Sequence, residues 1–485
     1  MSLREKTFSG LIWTFAEQFG NRLIQFFIGI ILARLLMPED FGLIGMITIF
    51  IAVSEVFVSS GFNQALIRKQ ICSEEDYNTA FIINTGISIV LYALLFLSAP
   101  LIARFYQKDE LIWLIRVLCL IILFDAVAFT QRAKIYKSLN FKIIAKSSVL
   151  SQFISSVVGI LAAFKGFGVW SLVIKMVLNR LIMAINLVLI NKWIPKFQFS
   201  RIAYRELFSF GSKIMFTQLI DRVYQNIYLV VIGKFFSATD LGYYTRANLF
   251  KSLVSEQLVS SVQVVTLPTL ANIQDDYTRL LSGFKSLTRL IIFISSFFLI
   301  GLVAIAGPMV LFLIGQKWYE SIGYLQLLAI SAIFYPVGEI NLNILQIKGR
   351  SDLLLKLQII KKIFSVPLII TGVILGIKYL IIGIIIASIF DFFANSFYSK
   401  KLINYSSIDQ LVNSMPSLLI MAFVSCLTFF ISKIFISYPI GLIFLIQLLF
   451  YGICTISIFE LIKKSEYLEL KNIVNNFIIS KIKRG

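Results

Sequence analysis

Gln18, Asn21, Arg22 and Gln25 recur at i, i+3, i+4 and i+7, which lines four polar side chains along one stripe of a helix. Thr14 and Gly29 fall on the same stripe, while Leu23, Phe26, Phe27 and Ile30 face elsewhere. The pattern returns 200 residues later as Gln218, Asp221, Arg222 and Gln225. A guanidinium in such a row can grip an anion: its planar fork of donors matches phosphate or carboxylate, and a nearby lysine adds a point charge. Glu17 and Asp221, beside these arginines, either neutralise them or carry a proton or metal cation.

The elements that hold these stripes are unusual hosts for charge. The chain has 485 residues, 58% of them hydrophobic, and a mean hydropathy of +0.87. A bilayer core of ~30 Å is crossed by about 20 apolar residues, and such windows recur along the whole chain. The reading is an all-α polytopic membrane protein of about fourteen spans. These fall near 9–33, 41–63, 79–103, 111–130, 147–164 and 168–190; near 207–233, 241–267, 287–314, 322–346, 353–376 and 379–398; and near 415–435 and 439–461. An arginine at mid-bilayer costs ~2.5–3.5 kcal/mol even on lenient insertion scales. The stripes of Arg22 and Arg222 should therefore face protein or a water-filled cavity.

The echo extends outward in register. Phe8-Ser9 meets Phe208-Ser209, and Asp40-Phe41-Gly42 meets Asp240-Leu241-Gly242. Six spans per half preserve orientation, so the repeat is parallel, about an axis along the membrane normal. The organisation expected is a six-helix lobe over 1–200, its repeat over 201–400, an additional helix pair over 401–463, and a basic tail over 464–485. In that tail Leu470, Ile473, Val474, Phe477 and Ile478 share a helical face, as in an amphipathic helix lying on a membrane surface.

Lys and Arg outnumber Asp and Glu by 45 to 25, a net charge of +20. They concentrate in alternate loops, from Arg68 and Lys69 through Arg132–Lys146 and Lys192–Arg205 to Lys400 and Lys401, which puts both termini on the cytoplasmic side. The first apolar segment is too long and too polar for a cleavable signal peptide. There is no histidine, so His-based acid–base, metal and triad chemistry is excluded. The four cysteines are isolated and read as inert thiols. No HExxH, GxSxG or phosphate-loop pattern occurs, so ATP hydrolysis would need another subunit.

Cations inside spans outnumber acids. Candidates for a cationic, substrate-binding cavity are Arg22, Arg222, Lys213, Arg116, Lys175 and Arg180, with Gln18, Gln218, Gln25 and Gln225. Candidates for ion coupling are Glu17, Asp221, Glu55, Glu339 and Asp391. Arg246, Lys251, Lys356, Lys361 and Lys362 lie close enough to helix ends to snorkel. No metal site and no cofactor is expected, beyond coupling to H+ or Na+.

The stretches LARLLMPEDFGLIGM (32–46), GFNQALIRKQ with EEDYNTAFIIN (61–84), and GKFFSATDLGYYTRANLF (233–250) resemble the polysaccharide exporters of the colanic-acid and teichuronic-acid type. These belong to the multidrug/oligosaccharidyl-lipid/polysaccharide flippase superfamily. The resemblance implies a MATE-like fold of two six-helix lobes plus two helices. It implies a flippase, not an enzyme, that moves polyprenyl-diphosphate-linked oligosaccharide repeat units across the bacterial inner membrane for O-antigen, capsule or exopolysaccharide synthesis. Its implied partners are that anionic lipid-linked substrate, membrane lipids, and a polysaccharide polymerase and glycosyltransferases, with no nucleic acid. The alternatives are a cation-coupled multidrug antiporter of the same fold, or a polymerase or ligase of the same pathway.

Overall fold

The computed structural model describes residues 3–59, 61–435 and 437–482, and among them finds helices and no strand. By Cα packing the chain divides into two units, Met1–Gly242 and Tyr243–Gly485.

The first unit holds α1 (Leu3–Leu35), α2 (Pro38–Ser59), α3 (Phe62–Arg68), α4 (Glu74–Tyr106), α5 (Leu111–Leu118), α6 (Leu120–Lys137), α7 (Phe141–Phe164), α8 (Val169–Asn191) and α9 (Arg201–Phe235). Here α1 packs on α7, α7 on α8, α6 on α8 and α4, and α9 on α2, α3 and α4. The chain then enters α10 (Ala238–Ala271), most of which lies in the second unit. That unit continues with α11 (Tyr277–Leu313), α12 (Ser321–Ala332), α13 (Tyr335–Ile347), α14 (Ser351–Leu375), α15 (Ile377–Ile403), α16 (Ser407–Ile434), α17 (Ile440–Ile462) and α18 (Ser465–Ile482). In it α11 packs on α12, α16 and α17, and α15 on α12, α13 and α14.

The chain is an all-α polytopic membrane protein. Among the described residues eleven helical stretches are long and apolar enough to cross a bilayer. Three further helices of 33 to 35 residues, α1, α9 and α10, are long enough but more polar. Those three carry Arg22, Arg222 and Arg246.

Local sequence fixes the breaks. Ser73 and Asp76 form a reciprocal capping box that starts α4, and Ser406 with Asp409 does the same for α16. The span expected at 41–63 is shorter and is followed by a separate turn: Gly61 adopts a left-handed φ of 67° before α3. Phe62, Ala65 and Leu66 bury themselves there, which is why 62–68 folds as a helix of its own. The span expected at 111–130 runs on to Lys137 and is interrupted at Cys119, between α5 and α6.

The sequence reading places α9 at the start of a second lobe, whereas its packing puts it in the first unit. The segment 192–200 before it is strapped to α4 and α6. Asn78 Oδ1 accepts from the Lys196 amide at 2.9 Å, Thr79 Oγ1 from the Ser200 amide at 3.0 Å, and the Trp193 carbonyl from Gln131 Nε2 at 3.0 Å. Trp193 Nε1 donates to Glu74 at 2.6 Å. Lys69 bridges Glu206 of α9 at 2.8 Å and Asp76 of α4 at 3.0 Å. The Glu206 carboxylate, with Asp76 behind it, holds the Lys69 ammonium above its ordinary pKa, so this strap stays charged at neutral pH.

The tail is helical, and α18 packs on α11 and α17. Of the face read from the sequence, Leu470 lines an apolar recess with Phe293 and Phe459. The side chains of Ile473, Val474, Phe477 and Ile478 lie outside the described residues.

Candidate functional site

A pocket of about 410 Å³ opens inside the first unit, between α2, α3, α6 and α9. Its polar lining is Glu55, Ser59, Asn63, Gln64, Gln218, Asp221, Arg222 and Gln225, and Phe129 adds an aromatic ring. The turn at Gly61 builds one wall, since a Cβ there would lie 2.3 Å from the Gly211 carbonyl oxygen of α9. That contact brings the start of α3, with Asn63 and Gln64, against α9. The i, i+3, i+4, i+7 stripe does the rest, turning Gln218, Asp221, Arg222 and Gln225 to one side. Arg222 Nη1 donates to Gln225 Oε1 at 3.3 Å, which aims the guanidinium along its own helix.

The structure therefore gathers Arg222, Gln218 and Gln225 with Glu55 and Asp221. The lining mixes one guanidinium, two carboxyls and four carboxamides, where the sequence suggested a surplus of cations. Behind Glu55, Arg180 of α8 forms ion pairs of 2.7 Å to Glu55 and 3.3 Å to Asp125 of α6.

The other residues named from the sequence are placed elsewhere. Arg22, Gln18 and Gln25 ride on α1 and are not among the side chains lining this pocket. Their neighbour Asn21 donates to Ser148 Oγ of α7 at 2.8 Å. Glu17 borders a second, mostly apolar recess with Trp13 and Lys146. Lys213 is exposed on α9. Lys175 lays its aliphatic stem over Gly159 of α7. Arg116 does not line this pocket, and its guanidinium stacks on the rings of Phe96 at 4.4 Å and Trp113 at 5.0 Å. In the second unit, Glu339 accepts from Gln263 at 3.0 Å, and Lys361 is the cation facing both Glu339 and Asp391. Lys361 and Arg246, expected to snorkel, are instead buried, at 8% and 9% exposure.

The sequence reading assigned Asp125 no role. The signal was weak: no periodicity links positions 55, 125 and 180, and only the need of a buried acid for a partner pointed to it.

Residues 31–323 match the family model described as polysaccharide biosynthesis protein. The chain belongs to that polysaccharide biosynthesis family. A relative is the teichuronic acid biosynthesis protein TuaB of Bacillus subtilis, 27% identical over 73% of this chain and 73% of the relative. Among solved structures, the fold matches the lipid II flippase MurJ in an inward closed conformation, with a TM-score of 0.73, 15% identity, and coverage of 97% of this chain and 100% of the other. It also matches an inward-facing multidrug resistance MATE family transporter of the MOP superfamily, at a TM-score of 0.62, 15% identity, and coverage of 80% and 96%. The MATE-like fold expected of this polysaccharide biosynthesis family member is thus the fold observed.

Proposed function

We propose that this protein is a flippase that carries polyprenyl-diphosphate-linked oligosaccharide repeat units across the cytoplasmic membrane by alternating access, for surface polysaccharide synthesis. The observation that supports it most is the composition of the pocket around Arg222. A guanidinium is the group that a diphosphate would seek, and the four carboxamides with two carboxyls suit the hydroxyls of a sugar chain. The family, the teichuronic acid relative and the likeness to a lipid II flippase all favour a lipid-linked glycan as passenger. The reading is of a transporter, not an enzyme, working in the bacterial inner membrane with both termini in the cytoplasm, as the loop asymmetry of Lys and Arg indicates. The polymerase and glycosyltransferases of the same pathway are its proposed neighbours.

Arg222→Ala is expected to lower export of repeat units about 10- to 100-fold, the loss of one or two charge-assisted hydrogen bonds worth ~1.5–3 kcal/mol, with the protein still present in the membrane. Single lipid-linked units should then accumulate on the cytoplasmic leaflet, whereas a polymerase defect would export them unpolymerised. Arg22→Ala tests whether α1 contributes to the same path. Wild-type export in both variants would overturn the binding role of the arginines. Altered drug sensitivity of a deletion strain, with normal polysaccharide, would favour the antiporter reading.

A further inference from the structure

The segment 192–200, strapped against α4 and α6, has an outer side that the described residues leave uncovered. Its inner side is fixed. Trp193 is 8% exposed, and its ring meets those of Tyr77 and Phe81 of α4 edge-on, with centroids 6.3 Å and 6.1 Å apart. The amides of Lys196 and Ser200 are bonded to side chains of α4. A backbone pinned at these points does not turn its outward side chains in, and several of those are apolar. Phe197 is 100% exposed, Ile194 77%, and Ile202, in the first turn of α9, 82%. Interleaved with them are Lys192, Lys196, Arg201 and Arg205, all exposed. None of these four cations forms an ion pair among the described residues. The run from Asn191 to Arg205 contains no Asp or Glu.

Such a face fits neither bulk water nor the acyl core. Water disfavours a rigidly displayed patch of Phe and Ile, and hydrocarbon disfavours four unpaired cations. The boundary between the two accepts both, with apolar side chains dipping toward the acyl chains and basic ones at the headgroups. The segment lies at that level in the chain, because it begins where α8, long and apolar enough to cross a bilayer, ends at Asn191. Its charge selects the lipid, since cations without counter-ions favour a net anionic headgroup over a zwitterionic one. We propose that residues 192–205 form a docking face for anionic phospholipid. Ile194, Phe197 and Ile202 enter the edge of the acyl region, and Lys192, Lys196, Arg201 and Arg205 contact headgroup phosphates. The cytoplasmic placement proposed above makes the leaflet the inner one. The face itself is independent of what the protein carries, so it stands apart from the export reading.

The test uses the full-length protein in lipid nanodiscs. In Phe197→Trp, acyl chains brominated near the headgroup should quench the added indole emission beyond the quenching seen in the wild type. The discs hold a minor fraction of phosphatidylglycerol in phosphatidylcholine. Bromine placed on the phosphatidylglycerol alone should quench about fivefold more than bromine on an equal fraction of the phosphatidylcholine, the preference expected from a single basic residue near an anionic surface. High salt should narrow that ratio, and Lys192→Gln with Lys196→Gln in the same background should bring it toward parity. In the wild type, amide hydrogen exchange over 194–200 should slow about fivefold when phosphatidylglycerol is added to phosphatidylcholine discs, a reading that needs no variant and survives a poorly folding Phe197→Trp. Added emission untouched by bromine on either lipid would overturn the lipid face and leave it to an acidic protein partner. Equal quenching by the two brominated lipids, or exchange that ignores phosphatidylglycerol, would overturn the preference for anionic lipid.

Discussion

Replacing Arg180 by Leu is expected to destabilise the protein by about 3 kcal/mol, and removing the charge of Glu55 in the same molecule is expected to restore most of the loss. Breaking a buried ion pair by deleting one partner costs ~3–5 kcal/mol, because a charge is left without compensation. The lower end applies here, since the Arg180 and Glu55 side chains are 33% and 29% exposed and pocket water screens part of the interaction. In Arg180→Leu the stranded group is the Glu55 carboxylate. In Arg180→Leu with Glu55→Gln both of those charges are gone, and Asp125 is the acid that remains. An ionised Asp125 would leave the double variant with one buried carboxylate lacking its partner, and the rescue would then be only partial. Thermal midpoints of the purified variants, read as a double-mutant cycle, therefore report the charge state of Asp125 without any transport assay.

Much of this architecture is legible in the sequence, and the boundary of legibility has physical causes. Apolar windows mark the spans because a bilayer demands ~20 apolar residues whatever the fold. The echo at an offset of 200 marks α1 and α9 as related stretches of sequence. Yet the stripes of α1 and α9, alike in sequence, meet different neighbours. Asn21 is bonded to Ser148 on α7, whereas Asp221 and Arg222 open onto the pocket against α2 and α3. Helical periodicity says which residues share a face, but not what that face meets. Arg116 shows a contact that was local. Trp113 lies three residues before it on the same helix, a spacing at which side chains meet, so its stacking was readable. The cluster of Glu55, Asp125 and Arg180 joins three helices far apart in the chain, and only tertiary packing assembles it.

Gly42→Ala and Gly242→Ala are each expected to reduce folded protein in the membrane, and together to reduce it by less than the sum. A Cβ on Gly42 would stand 1.7 Å from the Ala238 carbonyl oxygen, and one on Gly242 would stand 1.8 Å from the Pro38 carbonyl oxygen. The two contacts are reciprocal and relate residues 200 positions apart, 38 with 238 and 42 with 242. Matching caps hold each strand of chain in place: Asp40 accepts from the Met37 amide at 2.8 Å, and Asp240 accepts from the Ser237 amide at 3.4 Å. The repeated Asp-x-Gly of the sequence is thus one clasp between the starts of α2 and α10, in which the aspartates fix the helix ends and the glycines let their backbones touch. Neither clash can be relieved by turning a side chain, because the atom met is backbone on both sides. The helix starts must part by ~1 Å, a cost at or above the upper end of the ~1–3 kcal/mol typical of overpacking. Once the first methyl has parted them, the second enters space already opened, which is the source of the non-additivity. Membrane yield and thermal midpoint of the two single variants and the double variant measure it. Strictly additive losses would show that the two glycines act as separate contacts, and unchanged stability would show that the backbones do not meet.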